Sequence, residues 1–169
     1  MNIAVLSDIH SNYIALEKCI EYILNRNIHI FIFLGDYVGD LAYPNKAMDI
    51  IYSLKKKYEC YFIKGNKEDY WLNYRKNEIG WKKIDSTTGA LYYTYENLTD
   101  KDLNFFESLK YKEELSFKGA LPLTICHGSP NNVNEKLLPD NEKTYLIMDN
   151  EKILIFYVFN HSLYMCMTT

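Results

Sequence analysis

Apolar positions along the chain come as short continuous runs and as helical stripes, and the two alternate. Ile3 to Leu6 is a continuous run, the pattern of a strand covered on both faces. Leu16, Cys19, Ile20, Ile23 and Leu24 then recur at helical spacing. They predict a helix with one core face, capped by Ser11 or Asn12 and ending near Asn27. A second run, IHIFIFLGD from Ile28, predicts a strand that ends in Gly35-Asp36. Pro44 suits the first turn of another helix, whose Ala47, Met48, Ile50, Ile51 and Leu54 form a buried stripe. A third run, CYFIKGN, predicts a strand ending in Gly65-Asn66. This alternation predicts right-handed βαβ units with parallel strands, and the fold class is α/β.

From Lys67 to about Leu109 the pattern turns helical and aromatic, with Tyr70, Trp71, Tyr74, Trp81, Tyr92, Tyr93 and Tyr95 among its rings. Tyr70 and Tyr74, like Tyr92 and Tyr95, are helical neighbours, so a helical cap over residues 67–109 is expected. Thr99 suits the cap of a short helix carrying Leu103, Phe106 and Leu109 inward. Two strands are expected next, Glu113 to Lys118 and Leu121 to Pro130, the second running into His127-Gly128. A short helix at Glu142 to Met148 and an apolar strand at Lys152 to Phe159 complete the pattern.

The 169 residues fit one domain, and 48% apolar against 24% charged residues is ordinary globular composition. A net charge of −3 gives no indication of nucleic acid, and Lys55-Lys56-Lys57 ends a predicted helix, where it complements the dipole. No apolar run is long enough for a membrane span, and no signal peptide precedes the first strand. Cys19, Cys60, Cys126 and Cys166 share no CxxC spacing and read as reduced thiols, so a cytoplasmic protein is expected.

The chemistry lies at the strand ends. Asp8 and His10 follow the first run, Asp36 the second, Asn66 the third, and His127 ends the strand from Leu121. Parallel strands deliver such ends to one edge of the sheet, where ligands bind in open α/β folds. If the backbone stays extended, side chains two apart point the same way, and Asp8 and His10 grip one ion together. Asp36 has two oxygens with which to bridge to a second ion, for which Asn66 offers an amide oxygen and His127 an imidazole nitrogen. Two ions ~3.5 to 4 Å apart lower the pKa of a bridging water and clamp a phosphate for in-line attack. Gly35, Gly65 and Gly128 beside these residues let the backbone turn sharply.

Asp8-x-His10, Gly35-Asp36, Gly65-Asn66-x-Glu68 and His127-Gly128 together resemble the motifs of the calcineurin-like metallophosphoesterase superfamily, in particular its small bacterial and archaeal phosphodiesterase type. The resemblance runs from residue 1 to about residue 155. It implies an αββα sandwich of two mixed sheets and a dinuclear site with two divalent ions, manganese first and zinc or iron as alternatives. Asp8 and His10 would then hold the first ion, Asp36 would bridge, and Asn66 and His127 would hold the second. It also implies a small phosphate-ester substrate, a phosphomonoester or phosphodiester, with Asn66 and Lys67 as the catalytic residues.

Two positions depart from the superfamily pattern. Lys67 stands where the motif often has a histidine near the leaving oxygen; a lysine stabilises phosphate charge but needs a depressed pKa to act as an acid. The later Gly-His-x-His motif is not found, and His161, preceded by Asn160, is the only imidazole after the last predicted strand. The sequence thus reads as a C-terminally truncated member, its last strand left with an edge that invites pairing with a second copy. A non-catalytic metal-binding relic and a protein-interaction module built on the aromatic segment are the competing readings.

Overall fold

The computed structural model describes residues 2–77 and 85–135, and the backbone of two strands at 154–159 and 162–166. The helix expected at Glu142 to Met148, Trp81, Asn160 and His161 lie outside the described residues.

The alternation read from the sequence is the observed order: β1 (Ala4–Leu6), α1 (Tyr13–Leu24), β2 (Ile30–Phe33), α2 (Pro44–Lys57) and β3 (Glu59–Phe62). These strands form a parallel sheet in the order β1-β2-β3, with Val5 opposite Ile32 and Ile32 opposite Tyr61. Asn12 caps α1 through its side chain, which accepts from the Ala15 N–H at 3.1 Å, and Pro44 opens α2. Three helices follow, α3 (Asn66–Asn77), α4 (Ser86–Glu96) and α5 (Asp100–Ser108). Thr99 and Asp102 cap α5 reciprocally, each side chain accepting the other's backbone N–H.

The second sheet is mixed. β4 (Lys112–Leu115) runs antiparallel to β5 (Leu123–Cys126), which pairs in parallel with β6 (Leu154–Phe159), and β7 (Ser162–Cys166) returns antiparallel to β6. The strand expected at Lys152 to Phe159 is not the edge of this sheet, because β7 lies along β6 with Tyr157 opposite Tyr164 and takes the edge position itself. The short, mixed run after Phe159 carries too little alternation to announce a strand, and pairing within the hairpin supplies what the pattern lacks.

Alternation along the strands explains the layering. Phe31 and Phe33 of β2 face the helices, with Ala4 and Leu6 of β1 and Cys60 and Phe62 of β3, while Ile32, Leu34 and Ile63 face Leu115, Leu123 and Ile125 of the second sheet. The helices and the two sheets are thus stacked as successive layers, each strand of the first sheet serving two cores. All the described helices contribute to the helix-side core, α5 through Leu103, Phe105 and Phe106. Phe33 stacks on Phe62 with centroids 4.9 Å apart, and Tyr37 stacks on Phe106 at 6.1 Å. Each fully buried ring of this kind contributes roughly 1.5 to 3 kcal/mol through burial. α5 is therefore a core helix under the first sheet, whereas the aromatic helices α3 and α4 lie beside the strand ends.

Candidate metal centre

The loops after β1 and β2 run side by side past the ends of their strands. The Asp8 N–H donates to Gly35 O at 3.3 Å, the His10 N–H to Asp36 O at 3.0 Å and the Ser11 N–H to Tyr37 O at 3.1 Å. This backbone ladder brings Asp8, His10 and Asp36 together. It also corrects the reason given for their pairing. The backbone is not extended there: Asp8, His10 and Asp36 have φ of 52°, 46° and 54°. Non-glycine residues in the left-handed region are strained, and such strain gathers where the surrounding structure holds a site in place.

The loop after β3 is locked against the loop after β2. A Cβ on Gly35 would fall 2.9 Å from the Lys64 carbonyl carbon, and one on Gly65 would fall 3.0 Å from Asp36 Cγ, with nearer clashes in both cases. Only glycine lets these two backbones meet. Glu68, in the first turn of α3 and fully buried, fastens the contact: its carboxylate accepts from the Asp36 N–H at 3.0 Å, the Tyr37 N–H at 2.9 Å and the Gly65 N–H at 2.8 Å. Burial and the neighbouring Asp36 push the Glu68 carboxyl up to about 8.

All the strand-end residues singled out from the sequence converge here. Asp8, Asp36 and His127 each bring a ligand atom to within 4.8 Å of the others. His10 Nε2 lies 3.5 Å from Asp8 Oδ1 and 3.8 Å from Asp36 Oδ2, and His127 Nε2 lies 3.8 Å from the same Asp36 oxygen. Asn66 Oδ1 is 3.0 Å from His127 Nε2. Asp36, His10 and His127 are buried and Asp8 is partly so.

The donor set fits a cation. His127 Nδ1 sits 2.8 Å from Leu34 O, a pure acceptor, so Nδ1 carries a proton and donates it, and Nε2 is the ring atom turned to the cluster. Nε2 faces the Asn66 oxygen at 3.0 Å and an Asp36 oxygen at 3.8 Å, and a positive charge among these groups, a proton or a metal ion, reconciles them. Burial raises the Asp36 carboxyl above its ordinary value, although His127, the Lys67 N–H and His10 pull the other way. Burial also pushes Asp8 up, but hydrogen bonds from His10 and Ser7 and the nearby histidines outweigh it and hold Asp8 below the usual carboxylate range. His10 is lowered by burial and raised more strongly by Asp8, Asp36 and Asp40. The carboxylates around His10 thus favour positive charge at this point, as a cation-binding site requires.

Lys67 stands at the rim. Its N–H donates to Asp36 Oδ1 at 2.9 Å, and its Nζ lies 3.1 Å from Asp40 Oδ1. The other Asp40 oxygen is 3.4 Å from His10 Nδ1, so this exposed carboxylate touches both a candidate ligand and the lysine. Asp40 went unremarked in the sequence because it belongs to no strand end; a second Gly-Asp close behind Gly35-Asp36 was the available signal. Between Lys67 and Tyr70 on one side and Ser86, Ala90 and Leu91 on the other opens a cleft of about 580 Å³. Tyr74 meets Tyr95 edge-on at 4.7 Å where α3 and α4 touch.

Comparison with known proteins agrees with this arrangement. The uncharacterised protein MJ0912 of Methanocaldococcus jannaschii is 33% identical over 140 residues, which take in 82% of this chain and 54% of that protein. The chain thus spans about half the length of the curated relative it matches. The crystal structure of hypothetical protein PH1004 from Pyrococcus horikoshii superposes with a TM-score of 0.71 at 26% identity, over 89% of this chain and 65% of that one. A metallophosphoesterase from Sphaerobacter thermophilus shares the fold, with a TM-score of 0.67 at 21% identity over 92% of this chain and 58% of its own. The family model described as calcineurin-like phosphoesterase matches residues 1–163, so the chain whose strand ends gather these carboxylates and imidazoles belongs to that family.

Proposed function

We propose that the protein hydrolyses small phosphate esters with the help of two divalent metal ions, manganese first among them, held by Asp8 and His10 on one side, by Asn66 and His127 on the other, and by Asp36 between. The observation that carries this reading is the approach of Asp8, Asp36 and His127 ligand atoms to within 4.8 Å of one another, from three separate loops. Two such ions supply the positive charge that acidifies water and neutralises phosphate oxygens. The chain supplies orientation. The Nδ1–H of His127 on Leu34 O fixes the ring so that Nε2 faces the cluster. The backbone N–H of Lys67 holds one Asp36 oxygen and leaves the other toward the histidines. In this reading Lys67 Nζ, at the rim beside Asp40, turns from that carboxylate to balance charge on the departing ester oxygen.

In this reading α3 and α4 act as a cap on the cleft, within one domain. A cytoplasmic setting belongs to this reading; Cys19 and Cys60 are free thiols, and among the described residues no helix is long and apolar enough to cross a membrane. The test is titration with manganese and zinc alongside hydrolysis of an aryl phosphomonoester and an aryl phosphodiester. Metal-dependent release of the phenol is expected, abolished by chelation. Lys67→Ala should lower turnover and leave metal affinity unchanged. A chain that binds metal and hydrolyses neither ester would overturn the proposal.

A further inference from the structure

In the phosphoesterase reading the phosphoryl group sits at the candidate metal centre, and the rest of an ester must leave it along an open path. Lys67 marks one such path. Its backbone holds Asp36, while its side chain runs out beside Asp40 to lie 5.7 Å from the centre of the Tyr70 ring. The cleft therefore begins one lysine side chain away from the bridging carboxylate.

Its size and lining describe what it takes. About 580 Å³ lies within the range of small-molecule pockets and far exceeds a methyl or glyceryl group. Tyr70, 41% exposed, stands in the wall of the cleft. Opposite it, Ala90 and Leu91 of α4 provide an apolar surface, and Ser86 places a hydroxyl at the edge. Lys67 is matched by Asp40, so the neck of the cleft presents a neutral pair and discriminates by shape and π-surface more than by charge.

Resting on the phosphoesterase reading, we propose that this cleft seats the leaving group of the substrate, and that the leaving group is uncharged and carries a flat aromatic or heteroaromatic ring, as an aryl or nucleoside ester does. In the hydrolysis, the oxygen of water bonds to phosphorus and the ester P–O bond breaks. The ester oxygen departs as the alcohol with one of the water's protons, and the ring on Tyr70 leaves with it. Tyr70 is a specificity determinant and takes no part in the bond changes.

Binding of two non-hydrolysable probes, phenylphosphonate and methylphosphonate, to the metal-loaded protein tests this by calorimetry. One stacked ring is worth about 0.5 to 1.5 kcal/mol, so phenylphosphonate should bind roughly 3-fold to 10-fold more tightly than methylphosphonate. Tyr70→Ala should erase that preference while leaving methylphosphonate affinity unchanged, and Tyr70→Phe should keep it. Equal affinities in the unaltered protein, or a preference that survives in Tyr70→Ala, would overturn the cleft assignment alone. Binding of neither phosphonate to protein that holds metal would instead overturn the phosphoesterase reading on which it rests.

Discussion

At the strand ends, three backbone N–H groups from two loops converge on the buried carboxylate of Glu68, and two glycines meet where no side chain fits. Across the cleft, α4 meets α3 through Tyr95 on Tyr74 and sends Leu91 to the margin of the core, while Tyr93 remains exposed. The first region is determined by backbone, and shifting one residue there shifts several others. The second is determined by side chains on a surface, and it tolerates change. A site for ions needs positions held to fractions of an ångström, whereas a wall for an organic group needs only a face of the right kind.

The sharpest way to break the first region is Gly65→Ala. The new methyl group falls on the Asp36 carboxylate, which the Lys67 N–H holds in place, and on the Asp36 backbone nitrogen at 2.5 Å, which cannot turn aside. Overpacking of this kind costs roughly 1 to 3 kcal/mol, and here the movement it forces is in the candidate ligands themselves. Urea unfolding should show a loss of that size, and metal titration should show no tight binding. A variant that binds metal as before would mean that the loops are less closely locked than their contact indicates.

Asp36→Asn is expected to leave the fold in place and still remove metal binding. The Lys67 N–H retains an oxygen acceptor, and the apo protein is relieved of a buried charge beside Asp8. In the proposed site the loss falls on both ions, since this carboxylate serves each. Affinity should drop by more than ~100-fold, because even outer partners of metal ligands cost 10-fold to 100-fold. His10→Ala should cost less. If the two variants lose metal equally, Asp36 does not bridge.

Much of this contrast was legible in the sequence. Asp8, His10, Asp36 and Asn66 follow the three strands of one parallel sheet, which has only one edge to which such ends are delivered, whereas His127 reaches them from β5 of the second, mixed sheet, a meeting that the strand-end rule alone does not supply. The manner of their meeting was not legible. Left-handed φ at Asp8 and His10 leaves no periodic trace, so extended backbone was the natural reading and the wrong one. Glu68 was visible as part of a motif, yet a carboxylate that accepts N–H groups 31 and 32 residues earlier in the chain is a tertiary fact. α5 joined the cap in the sequence because its rings follow those of α3 and α4. Its inward face was legible at Leu103, Phe106 and Leu109, and only packing against Tyr37 and Phe62 adds Phe105 to the core.

Glu68→Gln tests the latch with an intermediate effect. Shape is preserved, but an amide has one oxygen where the carboxylate has two, and its NH₂ end must face at least one backbone N–H. A buried donor left without an acceptor costs about 1 to 3 kcal/mol. Unfolding should register that loss, with weaker metal binding as the loops loosen. A stability equal to that of the unaltered protein would show that the carboxylate is not what holds the loops together.

The smallest effect is expected from Asp85→Ala, in the cap. Asp85 begins α4 with a reciprocal cap: its carboxylate accepts the Thr88 N–H at 2.8 Å, and the Thr88 hydroxyl accepts the Asp85 N–H at 3.3 Å. Loss of an N-cap of this type costs ~1 kcal/mol, and here it falls on a helix that carries Ser86, Ala90 and Leu91 into the cleft wall. Fraying of the first turn should therefore weaken phenylphosphonate binding slightly, shift global unfolding by no more than that amount, and leave metal affinity unchanged. The last of these is the decisive measurement. Metal affinity that falls together with the cap would show that α4 and the strand-end loops form one cooperative unit, and the division between a backbone-determined centre and a side-chain-determined wall would have to be given up.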